Sequence, residues 1–306
     1  MVDAPVRAVA AAILQRADVD LRPASQMTTI GELTVNDPED FVLVKIDGPV
    51  ARITLNEPAR LNPVNRDRIA QLNGVAEMIS ANDDVRVVII TGAGRGFCSG
   101  ADLAAFAVGG RPDSQPASGS ILNGGTGVWT LLAMRQPVIA MVNGAAIGFG
   151  FELALQADIR VAGASAKFGV PFGRLGTVSD TGAGSWLLPR LIGWGKAAEV
   201  FYTGRHYSAL EALEMGLVNN VVPNEQLEEF TVSLAAEIAQ NSAWALRTMK
   251  RMFFDGLEER RTEHIMQQFR LRNQGRVQRV EEGAAAYVSK FRSASKNNLT
   301  NLGGDN

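Results

Sequence analysis

Two glycine-bounded turns could each present a backbone N–H group to a substrate. The first, "CSGADL", surrounds Ala101, and the second, "GFGFEL", surrounds Phe149 at the start of a helical pattern. Small residues let a substrate carbonyl approach the backbone, and a helix N-terminus adds positive potential. Two donors aimed at one oxygen would form an oxyanion hole, although either turn alone is also consistent with an ordinary strand-to-helix connection.

Two other glycine-rich stretches depart from the nucleotide-binding motifs that they resemble. "GAGRGF" follows the strand-like run "RVVIIT", but Phe97 stands where a dinucleotide fingerprint needs its third glycine. "GWGKAA" offers Gly195-Lys196, but Arg190 before it and Ala197 within it stand where a phosphate loop needs glycine and a hydroxyl residue. Neither stretch therefore predicts a nucleotide site.

The composition excludes several classes of function. With 30 basic and 32 acidic residues the net charge is -2, so no basic field favours nucleic acid. The single cysteine, Cys98, cannot form an internal disulfide and is expected to pack as a small apolar side chain. With His206 and His264 it forms no metal-ligand spacing, so we expect no metal. A single cysteine favours a reducing, cytoplasmic setting, and the apolar run at residues 8–14 is too short to span a membrane.

The apolar pattern predicts a layered α/β core. Two strand-like runs, "FVLVKI" and "VARITL", flank Asp47-Gly48-Pro49 and predict a hairpin. Asn65 is expected to cap a helix whose apolar residues recur at helical spacing. Those apolar residues are Ile69, Leu72, Val75, Met78 and Ile79. The later strand-like runs "RVVIIT", "PVIAMV" and "IRVAG" alternate with helical stretches, which is typical of such a core.

The chain is expected to have three regions. Residues 1–38 form an N-terminal extension, disordered or loosely docked, residues 39–207 the core, and residues 208–306 a helical region. Within the core, the glycine, serine and proline content of residues 108–127 indicates a lid or a disordered loop. The C-terminal helices are predicted at 208–216, 224–240, 242–255, 257–277 and 281–292.

Three stretches together resemble successive motifs of the crotonase superfamily, the enoyl-CoA hydratase/isomerase family. They are "GRGFCSGADL", "QPVIAMVNGAAIGFGFELALQADIRVAGASAKFG" and "YTGRHYSALEALEMGLVNNVVP", and the similarity covers roughly residues 40 to 292. The resemblance implies a spiral of ββα turns, a helical C-terminal trimerisation region forming a homotrimer or a dimer of trimers, and an acyl-CoA thioester substrate without a further cofactor. It also implies that the N–H groups of Ala101 and Phe149 bind the thioester oxygen, although the family usually has glycine at the second position.

The acidic residues depart from the hydratase pattern. The resemblance assigns one hydratase glutamate to Glu152, but Phe172 stands where the second is expected. Asp180 falls where dienoyl-CoA isomerases, ring-epoxide isomerases of phenylacetate breakdown and chlorobenzoyl-CoA dehalogenases carry an aspartate. "GRLGTVSDTGAGSWLLPR" looks most like the phenylacetate-type isomerases, with one extra residue after Asp180. Apart from the resemblance, Glu152 is also consistent with a carboxylate favoured by a helix dipole, and Asp180 with a turn residue.

The resemblance therefore predicts proton transfer next to a thioester carbonyl. We expect Asp180, assisted by Glu152, to move protons while Phe172 keeps water out, so that double-bond isomerisation is preferred over hydration. An alternative is thioester hydrolysis, ring opening or dehalogenation with Asp180 as nucleophile or water activator. A non-catalytic acyl-CoA binder is the third hypothesis.

Further residues are expected to contact the substrate. Arg60, Lys290 and Phe291 fall near positions where the family contacts the CoA nucleotide, the last two from a neighbouring subunit. Trp129 and Trp186 could line the acyl pocket with Phe172, although large aromatic residues are more often part of the core.

Overall fold

The structure, a computed structural model, describes residues 33–34, 40–102, 130–179, 183–257 and 261–274. Asp180, Trp129, Lys290 and Phe291 lie outside the described residues. So do the loop at 108–127, the helix predicted at 281–292 and almost all of the predicted extension at 1–38. The chain divides after Ile238 into two compact units, each of which is described by itself.

The first unit begins with the predicted hairpin. Strands β2 (Val42–Asp47) and β3 (Val50–Leu55) pair antiparallel, with Val42 opposite Leu55. Gly48 adopts a positive φ of 52° in the turn, which a residue without a β-carbon adopts easily. Strand β1 (Leu33–Thr34) pairs with the other edge of β2, so these two residues of the predicted extension belong to the sheet.

The predicted helix after the hairpin is confirmed as α1 (Arg66–Ala81). The side chain of Asn65 caps it by accepting a hydrogen bond from the Arg68 N–H at 3.0 Å. All the apolar residues of the predicted stripe pack in or against the core.

Three successive strand pairs then build two sheets. The first strand of each pair enters a large sheet, and the second enters a small sheet after a short turn. The pairs are β4 (Val87–Gly92) with β5 (Gly96–Cys98), β6 (Val138–Val142) with β7 (Ala145–Ile147), and β8 (Ile159–Gly163) with β9 (Lys167–Gly169). This repetition is the predicted spiral.

The strand order follows the chain order along both sheets. Among the described residues, the large sheet runs β1-β2-β3-β4-β6-β8-β11 and is parallel from β3 onward, with β11 at Asn220–Val222. Strands β4 and β6 are buried at every residue, as expected of central parallel strands covered on both faces. The small sheet runs β10-β9-β7-β5, with β10 at His206–Ser208.

Helices cover these sheets. The first unit contains α2 (Phe149–Leu155), α3 (Ala183–Ile192), α4 (Trp194–Thr203), α5 (Ala209–Glu214) and all but the last residue of α6, which runs Leu227–Ala239. Sequence patterns assigned no element to α3 and α4. Ser208 and Glu211 form a capping box at the start of α5.

The second unit contains α7 (Ala243–Asp255) and α8 (Arg261–Gln274) among its described residues. Ser242 caps α7 through the Ala245 N–H. Several large apolar side chains of this unit are exposed, namely Met249, Phe253, Met266 and Phe269. The trimerisation expected of this region stays a prediction.

A buried arginine stabilises the edge of the large sheet. The guanidinium of Arg160 donates to the carbonyl oxygens of Leu217 at 2.7 Å and Ala157 at 2.6 Å. Burial lowers the pKa of Arg160 to about 10, so the side chain stays protonated at neutral pH. It thereby satisfies carbonyl groups that would otherwise be buried without donors.

We predict that Arg160→Met lowers the free energy of unfolding by about 2 kcal/mol or more, because buried acceptors lose their donor. The matched control is Arg135→Met, since Arg135 pairs with Asp83 at 3.0 Å at the surface and such pairs contribute at most about 1 kcal/mol. Urea titrations of both variants measure the difference. Equal losses of stability would contradict the structural role of Arg160.

Candidate active site

The first predicted turn follows β5 and is fixed by pairing with a neighbouring segment. Val64 donates its N–H to the Gly100 carbonyl at 2.8 Å, and Asp102 donates its N–H to the Val64 carbonyl at 2.8 Å. Because backbone groups alternate in direction along an extended chain, the N–H of Ala101 points away from Val64. Ala101 itself is exposed.

The second predicted turn connects β7 to α2. Gly148 donates its N–H to the Gly169 carbonyl of β9 at 2.8 Å. Phe149 is the first residue of α2, so its N–H has no acceptor within the helix. The Phe149 side chain is part of the hydrophobic core, which explains how a bulky residue fits a position where glycine is usual.

The two turns are in contact with each other. A β-carbon on Gly100, whose φ is +101°, would lie 2.7 Å from the Ile147 carbonyl oxygen and 3.6 Å from the Phe149 nitrogen. A β-carbon on Gly150 would lie 2.1 Å from the Cys98 carbonyl oxygen. Only glycine permits both approaches. The two segments that carry the predicted N–H donors therefore lie side by side.

The carboxyl group of Glu152 is completely buried one turn further along α2. Its Oε1 accepts hydrogen bonds from the Ser179 hydroxyl and from the Gly184 N–H, the latter at 3.2 Å. Sequence patterns gave no signal for Gly184. Ser179 could be expected to orient Asp180 or a water because it precedes that residue, but its bond to Glu152 was not predicted. Asp180 lies outside the described residues but directly follows this serine.

Phe172 lies beside the second turn, as an apolar wall would. Its ring is half-buried and packs against the core. The Cε1 atom would be 3.8 Å from a β-carbon on Gly148. The aromatic ring therefore lies next to the residue that precedes Phe149 in the second turn.

Arg60 is held at the first turn by an ion pair. Its guanidinium donates to both carboxylate oxygens of Asp102, at 2.9 and 2.5 Å, and its side chain remains 45% exposed. The hydrogen bond to Asp102 raises the pKa of Arg60 above its usual value. Arg68 lies 2.6 Å from Glu57 in the same charge cluster. The predicted contact of Arg60 with the CoA nucleotide stays a prediction, and the described role of Arg60 is to brace this turn.

A cavity of about 380 Å³ lies next to Glu152 and Phe172. It is lined by Phe172, Gly173, Thr177, Val178, Ser179, Ser185, Pro189, Trp194, Ala197, Ala198, Phe201 and Tyr202. Glu152 itself does not line the cavity, but Ser179 does, and its hydroxyl donates to the Glu152 carboxylate. Trp186 does not line this cavity. It packs against the core, as the alternative interpretation of large aromatic residues expected, and the guanidinium carbon of Arg190 lies 4.2 Å from its ring centre.

The described residues offer limited other chemistry. Burial raises the pKa of the Cys98 thiol to about 12, so it carries no thiolate nucleophile at neutral pH. The described part of the chain contains no group of three or more His, Cys, Asp and Glu residues suited to a metal ion. None of the described helices has both the length and the apolar character needed to span a membrane.

Comparison with known proteins agrees with the predicted resemblance. A probable enoyl-CoA hydratase of Mycobacterium tuberculosis is 42% identical over 237 residues, which cover 74% of this chain and 81% of that protein. A 1,2-epoxyphenylacetyl-CoA isomerase of Escherichia coli is 35% identical over 259 residues, covering 82% and 96% of the two chains.

The fold and the family model lead to the same group of proteins. The crystal structure of an enoyl-CoA hydratase subunit from Geobacillus kaustophilus superposes with a TM-score of 0.74 at 34% identity, covering 83% of this chain and 97% of the other. The family model described as enoyl-CoA hydratase/isomerase matches residues 45–297. The chain therefore belongs to the enoyl-CoA hydratase/isomerase family.

Proposed function

We propose that this enzyme shifts the double bond of an unsaturated acyl-CoA through a thioester enolate. The observation that carries the proposal is the buried Glu152 carboxylate, which follows Phe149 by one turn on α2 and is hydrogen-bonded to the residue before Asp180. An isomerase needs proton donors and acceptors beside a carbonyl-binding group. The apolar Phe172, at the position of the second hydratase glutamate, favours proton transfer over the activation of water.

The proposed reaction moves one proton between two carbons. A carboxylate, chiefly Asp180 with the assistance of Glu152, removes a proton from the α-carbon of a β,γ-unsaturated thioester. The electron pair of that C–H bond delocalises into the thioester, and negative charge develops on its oxygen. The resulting carboxylic acid then returns the proton to the γ-carbon, and the double bond ends between the α- and β-carbons.

The backbone N–H groups of Ala101 and Phe149 are proposed to stabilise the enolate oxygen. Each preorganised donor of this kind contributes roughly 2.7–4 kcal/mol to the transition state. The proposal is supported by the contact between their two segments at Gly100 and Gly150. Since both donors belong to the main chain, substitution of the acidic side chains should not prevent the thioester from binding.

Ser179 is proposed as a positioning residue for Glu152. Its hydroxyl and the Gly184 N–H donate to the same carboxylate oxygen. Two donors on one oxygen restrict rotation of the carboxyl group, so the second oxygen keeps a constant direction. A buried carboxylate also needs such hydrogen bonds to offset the loss of hydration.

Hydration of the double bond is the second candidate, because the relative with 42% identity is named as a probable hydratase. Both reactions would use the same oxyanion hole, but hydration adds a water molecule across the double bond and isomerisation does not. They are separated by incubating the enzyme with α,β- and β,γ-unsaturated thioesters in deuterated water. Deuterium at the α- or γ-carbon with a shifted double bond indicates isomerisation, whereas a hydroxyacyl product indicates hydration.

In this assay, we predict that Asp180→Asn lowers the isomerisation rate by roughly 10²–10⁴-fold, as is typical when a general acid or base is lost. Glu152→Gln should also slow the reaction, but by less. Affinity for a saturated acyl-CoA should remain, because the main chain binds the thioester. A stable Asp180→Asn protein with unchanged rates would show that another acid carries the chemistry.

We predict that Phe172→Glu raises hydration relative to isomerisation, since a second carboxylate could hold the water that the ring excludes. Phe172→Leu is the matched control, because it shortens the side chain without adding an acid. The product ratio and the thermal midpoint are measured for both variants. A stable Phe172→Glu enzyme with the product ratio of Phe172→Leu would argue against the exclusion of water by this ring.

We predict that Ser179→Ala lowers kcat by about 10- to 100-fold, since a small misplacement of a catalytic group has effects of this size. KM should change little, and Ser179→Thr should restore most of the rate by restoring the hydroxyl. Steady-state kinetics of the two variants test this role. A rise in KM with an unchanged kcat, or a failure of Ser179→Thr to restore the rate, would indicate that Ser179 does not act through Glu152.

A further inference from the structure

The inner end of the cavity lies against the groups that hold Glu152. Ser179 lines the cavity and donates its hydroxyl to the carboxylate. The ring of Phe201 also lines it, and the Cζ atom would be 2.9 Å from a β-carbon on Gly184, whose N–H binds the same carboxylate oxygen. This end of the cavity is therefore separated from the acid only by the residues that hold it.

The walls of this cavity are rich in aromatic rings. Of its described lining residues, Phe172, Trp194, Phe201 and Tyr202 are aromatic, and Val178 is the single branched aliphatic residue. The remaining residues are small or carry hydroxyl groups, apart from Pro189. Aromatic walls bind a ring better than an alkyl chain of similar size, because edge-to-face and offset contacts add to the apolar burial.

The outer end of the cavity consists of aromatic side chains that the fold does not bury. Trp194 is 77% exposed and Tyr202 is 82% exposed, although both line the cavity. Large apolar side chains grouped at the surface commonly mark a binding site. Since these two rings contribute little to the core, they can be replaced without loss of the fold.

We propose that the acyl group accepted by this enzyme carries an aromatic ring, and that Phe172, Phe201, Trp194 and Tyr202 select it. The proposal rests on the proposed function for the position of the thioester. From that position the acyl chain enters the cavity beside Ser179. Phe172 and Phe201 contact the inner part of the acyl group, and Trp194 and Tyr202 contact its ring.

Binding is tested first with saturated thioesters, which cannot react. Phenylbutanoyl-CoA and decanoyl-CoA have acyl groups with equal numbers of carbons, and the linear group buries more apolar surface. A site without ring contacts would therefore favour decanoyl-CoA. We expect calorimetry to show phenylbutanoyl-CoA binding about 3- to 10-fold more tightly, the size of one or two aromatic contacts.

The variant Trp194→Leu with Tyr202→Leu should remove this preference, whereas Phe253→Leu should retain it. Phe253 is the matched control, because it is an aromatic residue 76% exposed on α7 that does not line the cavity. Tighter binding of decanoyl-CoA to the wild-type enzyme, or an unchanged preference in the double variant, would overturn the proposal.

Turnover is measured separately with phenylbutenoyl-CoA and decenoyl-CoA. A preference for the ring-bearing substrate in kcat/KM, lost in the double variant, is the expected result. Should neither thioester react while the binding preference holds, the proposed isomerisation fails and the ring-selective cavity stands. If both thioesters react and the enzyme prefers decenoyl-CoA, the ring selectivity is overturned and the proposed function stands.

Discussion

The close approach of the turns after β5 and β7 is the constraint on which the site depends. Gly150 meets the Cys98 carbonyl, and Gly100 meets the Ile147 carbonyl, at distances that no β-carbon tolerates. The approach requires β5 and β7 to be neighbours in the small sheet, with one short turn after each strand. Because α2 begins at the second turn, the same contact also fixes the position of Glu152 relative to the first turn.

Burial of Glu152 imposes a second requirement on the segment that follows β9. A carboxyl group removed from water needs hydrogen-bond donors, and here they come from Ser179 and Gly184. Both residues come later in the chain than the 3-10 turn Gly173–Leu175. The third strand pair of the spiral is therefore as necessary to the site as the two turns, because it brings these donors back to α2.

The elements that could be predicted from the sequence are those determined by interactions between residues close together in the chain. The hairpin, the capped helix α1 and the buried strands β4 and β6 were predictable because their periodicity lies within a few adjacent residues. The bond from Ser179 to Glu152 and the ion pair of Arg60 with Asp102 were not, since each joins residues far apart in sequence. Helices α3 and α4 were missed although they supply most of the cavity wall, and α4 begins after Gly193, which has no side chain to cap it.

The agreement between chain order and strand order has a consequence for folding during synthesis on the ribosome. From β3 to β11 each new strand of the large sheet lies beside the one made just before it, so emerging segments find their partners already present. Domains generally fold in the order in which they are synthesised. The bond from the Gly148 N–H to the Gly169 carbonyl closes the second turn only when β9 has emerged. The turn that carries Phe149 can therefore close only after residue 169 has been synthesised.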